Sequence, residues 1–234
     1  MANSARSNSA KLKRRRAAAV ATVENIENAV AILLGDQQCF ARFRDAVNGS
    51  VAVRQTHFPG LVARWYSQSV LLGLRRLVDT DPRSHSLLSL LNDMLKHPTD
   101  WNEEAVIDLW TKDRKPHDLI IAAALEVAYK PLSDAAGKSL NTVRIAADEQ
   151  TLESSLTRAK RVVNKTIAHS DKHSGAAPTM TFADLDAAVD ASHQLVKPYI
   201  SLLTGRGYNT MVPVEGSNWW RIFDSWPDIP PAKY

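Results

Sequence analysis

The sequence predicts an all-α protein, and three features lead to this prediction. Apolar residues recur every three or four positions through most of the chain, which is the spacing of one face of a helix. No long run alternates apolar and polar residues with the Val, Ile and Thr enrichment of a strand. Several of the periodic stretches also carry residues that start or stop helices. With 44% hydrophobic and 23% charged residues, the 234-residue chain has a globular composition and can form one sizeable core.

The first three helices are predicted from their apolar stripes and from the residues that stop them. The first should cover about 23–47, because Asn48 and Gly49 follow it directly. The second should cover about 59–78, since the proline at its start is tolerated in a first helical turn. After the segment DTDPRS, a third helix is predicted over about 86–96.

The middle of the chain is divided by prolines at positions 98, 116 and 131, so only short helices are expected there, near 103–110 and 118–129. A long helix, with a break allowed, should follow over about 139–170. Its second half carries an apolar stripe at steps of three and four, formed by Leu152, Leu156, Ala159, Val163 and Ile167.

The last helix has the clearest end signals in the sequence. Thr181 and Asp184 have the spacing of a capping box, in which each side chain accepts a hydrogen bond from the other residue's backbone. The helix should continue to about Leu203 and end at Gly205, because glycine adopts the left-handed conformation that closes many helices.

These elements predict one helical domain, residues 21–204, between two tails. Residues 1–20 should form a basic flexible tail. Residues 205–234 should form an irregular C-terminal extension that contains three of the six tryptophans. Such aromatic composition favours anchoring to the domain or to a partner subunit over free disorder.

The net charge of +4 is concentrated in the N-terminal tail. Six basic residues precede the first acidic residue, Glu24, so residues 17–234 carry 29 − 6 = 23 Lys and Arg against 25 Asp and Glu, a balance of −2. The KLKRRR tract could attract DNA or RNA phosphates, but solvated basic tails are equally common. A DNA-binding function ranks last, because no short helix-turn-helix is recognisable.

Several classes of protein are disfavoured. Cys39 is the single cysteine, so neither an intrachain disulfide nor a cysteine-based zinc cluster can form, which fits a reducing cytosol. We find no signal-peptide cleavage site and no stretch that approaches the roughly 20 apolar residues of a membrane helix. No phosphate loop, metal-binding histidine pair or serine elbow is present. We therefore predict a cytoplasmic protein without membrane contact, metal or cofactor.

The segment RAKRVVNKTIAHSDKH, residues 158–173, is the most suggestive part of the chain. On a helix, Arg158, Lys165 and His169 fall within one sector, and Arg161 lies about 80° from His169. The segment contains five basic residues and one acidic residue, Asp171, so it is locally cationic and can attract a phosphodiester. The five are Arg158, Lys160, Arg161, Lys165 and Lys172.

This segment resembles the active-site signature of HEPN proteins (higher eukaryotes and prokaryotes nucleotide-binding). That signature is an arginine, usually followed by a polar residue, with a histidine four to six residues further on. The string NKTIAHSDKH, together with the step Arg76, Leu77, Val78 and Asp79 before a serine- and leucine-rich helix, is most similar to the abortive-infection AbiU branch. In layout the resemblance covers about 25–200.

The resemblance implies an up-and-down helical bundle, frequently dimeric, and in active members a metal-independent ribonuclease. The expected function is therefore that of an RNA-cleaving or RNA-binding effector of prokaryotic antiphage (abortive infection) or toxin type. His169 would handle protons, Arg161 would steady the scissile phosphate, and Asn164 would be the polar residue of the motif. The products would be a 2′,3′-cyclic phosphate and a 5′-hydroxyl, and RNA would be required because DNA lacks the 2′-hydroxyl nucleophile. The expected RNA-binding residues are Arg158, Lys165, Lys172 and Arg76. The expected partners are RNA, a second copy of the chain, and an antitoxin or regulatory protein.

The chain departs from the signature at its arginine. If Asn164 is the polar residue, the arginine position is Val163, which belongs to the apolar stripe. Either Arg161 substitutes for it, an arginine such as Arg76 enters from another helix, or the site no longer cleaves RNA. The alternative function is therefore a catalytically inactive helical module for protein association. His169 and Asp79 also have structural interpretations, as a helix C-cap and as a partner of Arg76 in an ion pair.

Overall fold

A computed structural model of the protein describes residues 2–81, 83–112, 118–163 and 180–206. Within these ranges the chain is all-α, as predicted, and extended backbone pairs only in one antiparallel bridge between Ser133 and Leu140. Shorter helical turns of other types cover Pro98–Trp101, Leu125–Tyr129 and Lys130–Leu132. The α-helices, in chain order, are α1 (Ala2–Gly49), α2 (Val51–Arg54), α3 (Phe58–Leu77), α4 (Leu87–Lys96), α5 (Glu103–Thr111), α6 (Asp118–Ala124), α7 (Thr142–Val162) and α8 (Phe182–Thr204).

The core lies between the four longest helices. α1 packs against α3 and α8, α3 also contacts α7 and α8, and α4 lies across α7 and α1. The apolar stripes predicted from the sequence face this core, and Val23, Ile26 and Val30 of α1 are completely buried there. At about 25 cal/mol per Å², such burial is the main stabilising contribution to the bundle.

One face of α3 is fixed against α1 and α8. The ring of Tyr66 stacks on Phe40 of α1 with centroids 4.1 Å apart, and its hydroxyl donates a hydrogen bond of 2.5 Å to Asp186 of α8. About two turns further, Gly73 lets α1 approach closely, because a Cβ there would lie 2.6 Å from the side chain of Leu33. These contacts orient the opposite face of α3 toward solvent.

The predicted ends of α8 are confirmed. The Thr181 hydroxyl accepts a hydrogen bond from the backbone of Asp184 at 3.1 Å, and the Asp184 carboxylate accepts one from the backbone of Thr181 at 2.9 Å. At the other end, Gly205 has φ +65° and donates its N–H to Ser201. Only local residues are needed for both caps, so both were predictable.

The N-terminus differs from the sequence prediction. The first helix was expected to begin near Val23, after a flexible tail, but α1 begins at Ala2. Arg15 forms ion pairs with Asp93 and Asp100, and Arg16 donates two hydrogen bonds, of 3.0 and 2.8 Å, to the backbone oxygen of Asp100. Alanine-rich sequence favours a helix here, and partners more than 70 residues away hold it in place. The three-part domain division stays a prediction.

α1 also contains a stretch with the composition of a membrane-spanning helix, contrary to the sequence prediction. Over Ser9–Gly49 it contains a window of 18 residues that is apolar enough, by length and composition alone, to cross a membrane. About a third of that window is buried inside the bundle, and the buried residues include Val23, Ile26 and Val30. The core helix of a globular protein has the same properties, so this similarity by itself is weak support for a membrane span.

Candidate functional site

The C-terminal ends of α3 and α7 meet at one end of the bundle. A surface cavity of about 150 Å³ lies between them, lined by Val78 after α3, Leu88 of α4, and Glu153, Thr157 and Lys160 of α7. Arg76 lies two residues before Val78, and Arg161 follows Lys160. The fold therefore brings these two predicted site arginines, which are distant in sequence, to the same region of the protein.

The α7 helix presents its cations because its opposite side is anchored in the core. Asn141 caps its start by accepting a hydrogen bond of 3.1 Å from the backbone of Arg144. The predicted apolar stripe is buried from Leu152 to Val163, and Ile167 lies outside the described residues. Lys160 and Arg161 are on the exposed side.

Val163 is completely buried, at 0% exposure. This confirms that the position where the HEPN signature places its arginine belongs to the core stripe in this chain. An arginine at this buried position would carry an uncompensated charge into the core, at a high desolvation cost. Any positive charge that acts at this end of α7 must come from another residue.

Two arginines in the last turns of α7 have different surroundings. The guanidinium of Arg158 lies 3.2 Å from the carboxylate of Asp184, so it connects α7 to the start of α8. Hydrogen bonds from Thr181 hold the pKa of Asp184 below its usual range, and Arg158 lowers it further. Arg161 is exposed and forms no ion pair within the described part of the chain. Arg161 is thus the more available of the two for a phosphate.

The step Arg76, Leu77, Val78 and Asp79 shapes the turn between α3 and α4. Among the described residues, Asp79 forms no ion pair with Arg76. Its carboxylate instead accepts a hydrogen bond from the backbone of Asp81 at 3.1 Å, and its carbonyl accepts one from the Ser86 hydroxyl at 2.6 Å. The same hydroxyl caps α4 through the backbone of Ser89. Arg76 itself is exposed.

The remaining predicted site residues lie outside the described residues. These are Asn164, Lys165, His169 and Lys172. They fall between Val163, which is buried in the core, and Thr181, which caps the start of α8. Within the described ranges, no group of three or more His, Cys, Asp or Glu residues could hold a metal ion.

Of the arginines on α3, only Arg76 was predicted from the sequence as a site residue. Arg64 and Arg75 are also exposed, and Trp65 between them is 58% exposed. The available signal was the composition of α3, FPGLVARWYSQSVLLGLRRL, which contains three arginines and no acidic residue.

Comparison with known proteins identifies a family. The model of the AbiU2 family of HEPN proteins matches residues 19–219, which include α3, α7, α8 and the segment with His169. Neither the curated proteins nor the solved structures gave a match. The match begins within α1 and extends past the end of α8, so it covers most of α1 and all of α2 to α8.

Proposed function

The chain belongs to the AbiU2 family of HEPN proteins, abortive-infection-related helical modules, and from this we propose that it is a metal-independent endoribonuclease of antiphage or toxin type. The observation that carries the proposal is the position of Arg161. It is exposed in the last turn of α7, without an ion pair in the described ranges, three residues before Asn164 and eight before His169. A guanidinium there can bind two oxygens of one phosphate.

The proposed reaction uses the RNA's own 2′-hydroxyl. The 2′-oxygen attacks the adjacent phosphorus while the bond from phosphorus to the 5′-oxygen breaks, which leaves a 2′,3′-cyclic phosphate and a 5′-hydroxyl. His169 takes the proton of the 2′-hydroxyl or gives one to the departing 5′-oxygen, because imidazole titrates near neutral pH. Arg161 stabilises the negative charge that develops on the phosphate oxygens.

The remaining predicted residues would bind the RNA on either side of the cleaved bond. Arg76 is exposed and lies two residues before Val78, which lines the cavity, and this supports its assignment. Arg158 contacts Asp184, so it can bind a phosphate only by sharing or exchanging that partner. Lys165 and Lys172 follow α7 in the sequence and would extend the cationic surface.

We further propose the cellular setting implied by the family resemblance. The protein would act in the cytoplasm as a symmetric homodimer, so that two copies of His169 face one groove and supply the base and the acid. An antitoxin or regulatory protein would hold its activity in check.

One observation favours a second function. Val163 is completely buried where the signature has its arginine, so a site built on the usual arginine has been lost. The alternative is a catalytically inactive HEPN module that acts in protein association. It predicts a folded protein without RNA turnover.

The test is incubation of the purified protein with total RNA in the presence of EDTA, followed by analysis of the fragment ends. The proposal predicts cyclic phosphate ends, lost in His169→Ala and in Arg161→Ala. Arg42→Ala is the control, because Arg42 is an exposed arginine of α1, far from this site in sequence. Absence of cleavage by the wild-type protein, both as a monomer and as a dimer, would favour the inactive module. Cleavage that persists in His169→Ala would exclude the proposed mechanism.

A further inference from the structure

The exposed face of α3 is positively charged, and α3 itself provides no acidic residue that could neutralise it. α3 contains Arg64, Arg75 and Arg76 but no Asp or Glu, and all three arginines are exposed. None of them forms an ion pair within the described residues. Five other arginines do contact a carboxylate there, namely Arg15, Arg83, Arg144, Arg158 and Arg206. Asp36 of α1 lies near this face, and its carboxylate accepts a hydrogen bond of 2.6 Å from Ser69 of α3.

The same face carries an exposed aromatic ring. Trp65 is 58% exposed, and Leu61 and Leu72 beside it are 40% and 39% exposed. At about 100° per residue, Arg64, Trp65, Arg75 and Arg76 fall within a sector of about 120°, together with the exposed Gln68. We define these five residues as the α3 face. The stacking of Tyr66 on Phe40 fixes the helix so that this sector points away from the core.

We propose that the α3 face binds single-stranded RNA, with a base stacked on Trp65 and phosphates bound by Arg64, Arg75 and Arg76. Proteins bind single strands by this combination of a positively charged path and aromatic rings, since every base offers a flat face. Arginine suits the role because its planar guanidinium grips phosphate oxygens and also stacks on bases. The inference rests on the proposed function, in which RNA is the substrate.

The charge distribution favours RNA over a protein partner. Tryptophan, arginine and leucine are also common in protein interfaces. A protein covering this face, however, would have to match three positive charges for which α3 supplies no acidic neighbour, whereas each nucleotide of RNA brings its own phosphate. A second copy docked antiparallel on α3 would bring six arginines together without an acidic residue from either α3.

The α3 face also leads toward the proposed cleavage site. Arg64 and Arg75 are eleven residues apart, about 16 Å along a helix axis, which is room for a few nucleotides. Arg75 and Arg76 lie at the end of α3, where Val78 shares a cavity with Lys160 of α7. An RNA strand that followed α3 would therefore arrive at the turn that carries Arg161.

The test measures binding separately from cleavage. Full-length His169→Ala protein is titrated into a fluorescently labelled single-stranded RNA of about 12 nucleotides, and anisotropy gives the Kd. Adding Trp65→Ala should weaken binding about tenfold, because stacking of one base has roughly that effect. Trp65→Phe should retain most of the affinity, since the phenyl ring still stacks.

The arginines are tested through salt dependence. Combining Arg64→Gln with Arg75→Gln should reduce the slope of log K against log salt by about 1.4, because each lost phosphate contact on a single strand removes about 0.7. Arg42→Gln is the matched control, since Arg42 lies two residues after the buried Phe40 and thus on the opposite side of α1 from α3. It should leave the slope nearly unchanged.

The outcomes separate this inference from the proposed ribonuclease. Unchanged RNA affinity in Trp65→Ala and in the arginine variant would overturn the inference, even if the wild type cleaves RNA. A molar mass that changes in Trp65→Ala by light scattering, with RNA affinity unchanged, would assign the α3 face to a protein interface instead. RNA binding that depends on the α3 face, in a wild type that does not cleave, would support the inference and reject the ribonuclease. No binding by the parent protein would overturn the inference.

Discussion

Two pairs of adjacent arginines in this protein look alike in sequence and differ in the fold. Arg15 and Arg16 of α1 are held by Asp93 and Asp100. Arg75 and Arg76 of α3 are exposed and form no ion pair within the described residues. The first pair joins α1 to α4 and to the segment after α4, whereas the second pair is available to bind an anion. A cluster of basic residues therefore indicates a binding surface only when its charges are not already used inside the protein.

The same distinction separates two arginines on α7, and it predicts the largest effect. Arg161→Ala should lower the rate of RNA cleavage by about 100-fold, because a group that stabilises transition-state charge has an effect of that order. Arg158→Ala should change the rate only a few-fold, since its side chain is shared with Asp184. Initial rates of fragment formation measure both. Equal losses in the two variants would contradict the distinction between paired and unpaired arginines.

The next largest effect concerns the stability that the α1 pair provides. Asp100→Ala should lower the free energy of unfolding by about 2 kcal/mol, because it removes a charged hydrogen-bond partner from the part-buried Arg15. Urea denaturation followed by circular dichroism gives the value. Asp108→Ala is the control, since Asp108 is exposed on α5 and forms no ion pair within the described ranges. An equal decrease in the free energy of unfolding of Asp108→Ala would contradict the proposed contribution of the contact between Arg15 and Asp100.

Acid should remove the ion pair between Arg158 and Asp184. The pKa of Asp184 is lowered from its usual 3.8, so the carboxylate stabilises the fold above that pH, and the stabilisation is lost as the pH falls through the lower pKa of the folded state. The unfolding midpoint of the wild type should therefore fall more steeply below about pH 4 than that of Asp184→Asn. If the unfolding midpoints of the two proteins fell in parallel with pH, the Asp184 carboxylate would not contribute to the stability of the fold.

The smallest effect is expected where arginines have no partner. The double variant Arg75→Gln and Arg76→Gln should change the free energy of unfolding by no more than about 0.5 kcal/mol, because exposed residues without specific contacts rarely contribute more. The urea experiment described for Asp100 measures this as well. A loss near 2 kcal/mol would mean that the α3 arginines have structural partners after all.

Local signals in the sequence determined most of the helical architecture. The ends of α8 could be predicted from Thr181, Asp184 and Gly205, because each cap is a hydrogen bond between residues a few positions apart. The buried position of Val163 could be predicted from the apolar period of α7, since a helix repeats every 3.6 residues wherever it packs. The family could also be recognised from short contiguous strings such as NKTIAHSDKH, and the family model matches residues 19–219.

Tertiary structure decided which charges are used. The packing of α1 at Arg15 and Arg16 depends on Asp100, about 85 residues away, and the role of Asp79 depends on Ser86 rather than on Arg76. The exposure of Trp65 and the α3 arginines depends on which face of α3 meets α1 and α8. Helical period and capping act over one or two turns, so they can be deduced from neighbouring residues. An ion pair or an exposed face depends on where distant segments come to lie, and only the packed bundle determines that.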